Sequence, residues 1–355
     1  MSPEMARHRS ALRLAFAATL ALTWGTMAGE RLPGLTAVLA SQILVGMPRP
    51  PRPRQAAALV AVIAGTGGAA YAVTAAFADR LPILMVALGL LFFFGFAMRE
   101  RAAGRPSLPA TMLLNATAVV PVLTFQAEVL GAGVIETLIT AAIRATLVVW
   151  LLYALFPAPQ EEAATGAAAG ATPATGMPVT EQGRTARTLA KVAIVLPAQL
   201  FYLAEPTALA FPALLGLVTF LTTQDPAAGR AQLVILLLGN LVGSVAAGAA
   251  SAVLEVAPPL PALTLMALLV SLSFARWIMT AGRRPGGAVA LTGLVTFLML
   301  FGLSASPVPF EVPVLDRIVD IFVLSLYTVG ATTLLLPPPD TRLPDAIGAS
   351  SAENS

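Results

Sequence analysis

The chain is 355 residues long; 57% of them are hydrophobic and only 11% charged, against about 25% charged in a soluble protein. Mean hydropathy is +0.83 and the formal charge of +3 comes from arginines in short clusters between apolar runs, which excludes a soluble enzyme and a phosphate-binding face. With no cysteine and a single histidine, His8, near the start of the chain, disulfides, thiolate or histidine metal sites and histidine-based triads are excluded as well.

A bilayer core of about 30 Å takes roughly 20 apolar residues per helix. In chain order such segments fall at 11–29, 33–48, 56–78, 81–98, 107–126 and 132–156, then at 188–204, 207–223, 231–254, 259–278, 286–304 and 312–336. The first follows Arg7, Arg9 and Arg13 in the manner of a signal peptide, but a similar segment recurs at 188, so it is read as a span. Between the sixth and seventh lies 157–187, where 22 of 31 residues are Ala, Gly, Thr or Pro and none is aromatic. Such a stretch cannot pack a core and reads as a flexible cytoplasmic linker. With the N-terminus in the cytoplasm, 17 basic residues fall inside, three (Arg31, Arg80, Arg317) outside, and one, Arg144, within a span. That asymmetry predicts an all-α integral membrane protein of about twelve transmembrane helices with both termini cytoplasmic. Twenty arginines to one lysine in an alanine-rich chain point to a GC-rich bacterial genome and hence to the inner membrane.

The two halves match in order. Leu14-Ala15 and Glu30 correspond to Leu189-Ala190 and Glu205; Gly65-Thr66 to Gly239-Asn240; Leu81-Pro82 to Leu260-Pro261; Arg105-Pro106 to Arg284-Pro285; and Glu136 and Pro157 to Asp316 and Pro337. Six spans per half is an even number, so the halves are expected to be parallel repeats about an axis along the membrane normal. The expected division is 1–156 and 188–337 as six-helix repeats, 157–187 as the linker and 338–355 as a disordered cytoplasmic tail.

The opening LRLAFAATLALTWGTMAGERLPGLTAVLA, the basic residue and Gly-Thr helix of PRQAAALVAVIAGTGGA, and its second-half counterpart GRAQLVILLLGNLVGSVAAG together resemble the fusaric acid resistance and aromatic acid exporter superfamily. The likeness covers roughly 11–157 and 188–337. The chain departs from the exporters in having only a short linker where they carry a sizeable cytosolic domain, and in Asn240 where the motif has threonine. The resemblance implies export of small aromatic carboxylic acids beside a periplasmic adaptor protein and an outer-membrane channel; self-association is a separate option.

A charge inside a membrane costs about 2.5–3.5 kcal/mol on insertion scales and marks a functional site by default. Arg144 stands in mid-span with Thr140 and Glu136 one and two turns earlier; the twelfth span carries Asp316, Asp320 and Thr328. Two readings stand side by side. In one, Arg144 receives an anionic group in a central cavity while the acids carry protons; in the other, Arg144 is locked to Asp320 between the sixth and twelfth helices. Glu30 and Glu205 precede the short, Pro-marked second helix of each half, a pattern that points to a transport site, although a solvated loop end explains either one. Thr66 and Asn240, beside Gly65 and Gly239, are candidates for substrate contact or for interhelical packing. Asn115 lacks a polar counterpart in the second half and is a candidate ligand. Trp24, Trp150 and Trp277 fall where interfacial anchors sit. No GxxxxGK loop and no intramembrane-protease signature occurs in the sequence, so no enzymatic activity, cofactor or metal is expected. The reading is a proton-gradient-driven exporter of small organic acids. A passive organic-anion channel and a non-transporting membrane scaffold are the alternatives.

Overall fold

A computed structural model describes residues 3–47, 49–102, 107–126, 133–157, 181–204, 211–222, 226–256, 260–282, 284–306 and 314–335. They form twelve helices: α1 Pro3–Met27, α2 Pro33–Gly46, α3 Pro53–Phe77, α4 Leu81–Arg101, α5 Leu108–Gln126, α6 Val134–Leu155, α7 Glu181–Ala204, α8 Phe211–Leu221, α9 Pro226–Val256, α10 Leu260–Ala281, α11 Pro285–Ser304 and α12 Val314–Leu335. Each of the twelve apolar segments read from the sequence falls on one of these. Seven helices contain a stretch long and apolar enough to cross a membrane (α3, α4, α6, α7, α9, α10 and α11), and α2 and α5 hold shorter apolar stretches. The chain is a multi-pass, all-helical membrane protein by these criteria.

Proline sets several of the starts. Pro33, Pro53, Pro82 and Pro285 occupy the first turn of α2, α3, α4 and α11, where a missing N–H costs nothing and the fixed φ suits the helix. The expected linker is shorter than its composition suggests. Residues 158–180 and 338–355 lie outside the described residues, but 181–187 already form the first turns of α7. That stretch, EQGRTAR, has no proline and opens on Glu181, which complements the helix N-terminus.

The helices alternate between two faces. On one, Ser306 donates to the carbonyl of Arg31 (2.8 Å), and the Thr23 and Thr264 hydroxyls lie 3.2 Å apart. On the other, Tyr153 donates to the carbonyl of Met47 (2.6 Å) and Trp150 Nε1 to that of Pro51 (2.8 Å). These are termed the Glu30 face and the Glu100 face.

Two hydrophobic cores result, and each draws on both ends of the chain. The larger joins α1, α2, α3, α6 and the end of α5 to α9, α10 and α11; the smaller joins α4 and α5 to α7, α8 and α12. Helix neighbours recur on adding six to each label. α1 packs on α10 as α7 does on α4, α2 on α11 as α8 on α5, α3 on α5 as α9 on α11, and α2 on α6 as α8 on α12. Outward, Val86, Leu90 and Phe94 on α4 are 65%, 56% and 59% exposed. One helical stripe of that size is the surface a bilayer covers.

Candidate functional site

The site grows from the end of α1. Gly29 adopts φ +66°, the left-handed conformation that glycine enters without a Cβ penalty. Around it the Glu30 N–H bonds the Gly25 carbonyl (2.9 Å) and the Gly29 N–H bonds that of Thr26 (3.1 Å), the paired pattern of a Schellman stop. The turn delivers Glu30 just past the helix, and its side chain folds back along α1 rather than out to solvent. A Cβ at Gly25 would lie 2.6 Å from Glu30 Oε2 and 3.0 Å from Pro33. Only glycine leaves room there for the returning carboxylate.

Three groups surround that carboxylate. Thr36 on α2 donates its hydroxyl to Oε2 (3.0 Å), Arg144 on α6 donates Nη1 to Oε1, and the Arg144 guanidinium carbon lies 5.9 Å from the Trp24 ring centre. Glu30's side chain is 8% exposed and Arg144's 23%. The carboxylate is enclosed, while part of the guanidinium remains open beside Trp24, itself 38% exposed. Arginine carries five donors in a planar fork, so one bond to Glu30 leaves capacity for a second planar acceptor.

This pairing gives Arg144 a carboxylate partner, Glu30, other than the Asp320 of the lock reading. α6 packs on α1, α2 and α3, whereas α12 packs on α7, α8 and α9, so the carboxylate that reaches Arg144 comes from the α1–α2 corner. It also replaces the solvated-loop reading of Glu30. The side chains of Asp316 and Asp320, and all of Glu205, lie outside the described residues. Thr140 is half-buried one turn from Arg144, and Glu136 is exposed two turns away.

The other candidates do not converge on this cluster. Asn240 is buried on α9 and accepts from the Thr296 hydroxyl of α11 (2.6 Å). Close helix approach explains the bond: a Cβ at Gly239 or Gly243 would come within 2.6 and 2.4 Å of α11 atoms. Thr66 turns its hydroxyl onto its own helix at the Val62 carbonyl (2.7 Å), and a Cβ at Gly65 would meet nothing within 4 Å. The two motif positions matched in sequence therefore do different work. Asn115 is half-buried on α5. Trp150 ties α6 to the α2–α3 connection, and Trp277 stacks on Phe274 with centroids 6.4 Å apart.

Sequence reasoning missed a second ion pair. Lys191 on α7 meets Glu100 at the end of α4, with side chains 6% and 8% exposed, and its ammonium lies 5.8 Å from the Phe96 ring centre. The available signal was that Lys191 is the one lysine in the chain. Arg13 is likewise buried, over the Tyr153 ring at 4.5 Å, and donates to the Phe156 carbonyl at 3.5 Å. Among the described residues no cluster of three His, Cys, Asp or Glu side chains is placed to hold a metal.

No curated protein and no solved structure matches the chain. Over residues 10–152, the stretch that carries Trp24, Glu30, Thr36 and Arg144, the chain is similar to a family described as a protein of unknown function (DUF2955).

Proposed function

We propose that the chain is an inner-membrane transporter of small organic acids, aromatic carboxylic acids foremost, exporting them beside a periplasmic adaptor protein and coupling their movement to protons at Glu30. Twelve spans with both termini cytoplasmic, arranged as two parallel six-helix repeats, form its frame. The recurrence of helix neighbours on adding six, and the two cores that each mix helices from both halves, support the repeat, since such interleaving suits rocking of one unit against the other about a central axis.

One observation carries the substrate class. A partly open guanidinium, steadied by a buried carboxylate and flanked by an exposed indole, offers a planar donor fork for a carboxylate and a flat apolar face for a ring. The open alternative is that the pair only fastens α6 to the α1–α2 corner. Accumulation of labelled benzoate in cells, measured beside thermal stability in detergent, tells them apart. With substrate recognition at Arg144, Arg144→Lys stays folded but loses at least tenfold in transport, because a point charge cannot reproduce two parallel bonds, and Arg144→Ala abolishes it. Normal export by a folded Arg144→Ala protein overturns the reading.

A further inference from the structure

We infer that a proton binds Glu30 whenever an organic carboxylate binds Arg144, so that the cargo crosses as a neutral acid: acid anion and proton travel together in the same direction. This rests on the reading of Arg144 as the carboxylate receptor, and it sets the sign of coupling, which that reading leaves open.

Glu30's carboxylate is enclosed at 8% exposure and its partners are one cation, Arg144, and one hydroxyl, Thr36. Among the described residues the other charged groups around it are few. Arg31 adjoins it in the chain; on α6, Glu136 lies two turns beyond Arg144 and is exposed; α11 carries no charged residue, and α10 none before Arg276. A carboxylate arriving at Arg144 either displaces Glu30 or shares the fork with it. In the first case Glu30 is left buried without its cation, and in the second two carboxylates share one positive charge at close range. Both favour the protonated form of Glu30. The proton comes from water, Glu30 –COO⁻ becomes –COOH, and the incoming anion takes over the charge of Arg144, so the net charge of the site is unchanged on loading. A buried site that loads without gaining charge meets no added Born barrier in crossing lipid.

The consequence reverses an expectation drawn from the sequence. Export driven by an inward proton gradient needs proton and substrate to exclude one another, whereas here each promotes the other by thermodynamic reciprocity. Export then runs down the acid's own gradient, and an inward proton gradient opposes it.

Titration calorimetry of the purified full chain in detergent, with benzoate as the probe, between pH 6 and 9, and in buffers of different ionisation enthalpy, tests this. Benzoate, an ordinary carboxylate, stays ionised across that range, so any proton exchanged belongs to the protein. The expected result is uptake approaching one proton per benzoate, with affinity falling up to about tenfold per pH unit wherever that proton is taken up. Glu30→Gln, which keeps shape and hydrogen bonding, should bind benzoate with no proton uptake and a flat pH profile. Binding that needs Arg144, is lost in Arg144→Gln, yet exchanges no proton in the parent chain overturns the coupling and leaves the receptor reading standing. No benzoate binding, or binding unaffected by Arg144→Gln, overturns the receptor reading and the coupling with it.

Discussion

At the scale of single residues, the two ion pairs found among the described residues differ in what they leave open. Arg144 keeps part of its guanidinium exposed, whereas Lys191 and Glu100 are both enclosed, at 6% and 8%. Two charges out of water attract strongly but lose their hydration, and removing one partner leaves the other uncompensated at a cost of about 3–5 kcal/mol. Lys191→Met is therefore expected to destabilise the protein by roughly that much. The double change Lys191→Met with Glu100→Gln should recover most of it, because neither charge is then stranded. Thermal unfolding in detergent of the two single variants and the double one is the check, and a loss in the double equal to the sum of the two single losses would show that the pair is not coupled. Lys191 as the lone lysine was visible in the sequence. Its partner was not, since 91 residues separate them and helical periodicity says nothing about which distant helix lies alongside.

At the scale of elements, the Gly-Thr and Gly-Asn motifs show how one pattern yields two outcomes. α9 lies against α11 so closely that a Cβ at Gly243 would sit 2.4 Å from the Gly293 carbonyl oxygen and 2.8 Å from the Thr296 Cβ. Gly243→Ala must push these helices apart and break the Asn240–Thr296 bond, at an expected cost of about 1–3 kcal/mol. Gly65 faces open space on α3, so Gly65→Ala should be neutral or stabilising by up to about 1 kcal/mol through helix propensity. Opposite signs for the two changes, read from unfolding midpoints, are the test; equal losses would mean that α3 has a close neighbour at Gly65. The same local logic explains Glu30. Gly29 ends α1 in a left-handed turn and Gly25 leaves the gap into which the carboxylate folds, yet the stretch GTMAGERLP by itself is equally compatible with a solvated loop.

At the scale of the molecule, the order of the faces is open to direct measurement. The native chain has no cysteine, so single cysteines report without background. Replacing Ala132 or Ser306 should give labelling from the periplasm by an impermeant maleimide, and replacing Thr165 or Ser350 should not. Labelling of position 165 from outside would break the six-plus-six arrangement. Ser306 already bonds to Arg31 at the Glu30 face, so this experiment also decides on which side of the membrane the Arg144–Glu30 site opens.

The sequence by itself marked the chain as helical with lipid as its solvent and put an apolar segment on each of the twelve described helices, although α1 and α7 begin eight and seven residues before their segments. The physical reason is local: in hydrocarbon each segment must satisfy its own backbone hydrogen bonds, so length, hydropathy and proline placement are written within each segment. Arg144 was also legible, because a charge in the middle of an apolar run is conspicuous against its own neighbours. Only the tertiary structure decided that Glu30 answers Arg144, that Trp24 flanks it, that Lys191 answers Glu100, and that each core mixes the two halves. Those are choices among distant segments of near-equal hydropathy, and they are made by shape: small residues that let α9 approach α11, a glycine turn that folds one carboxylate inward, and the placement of α2 against α6.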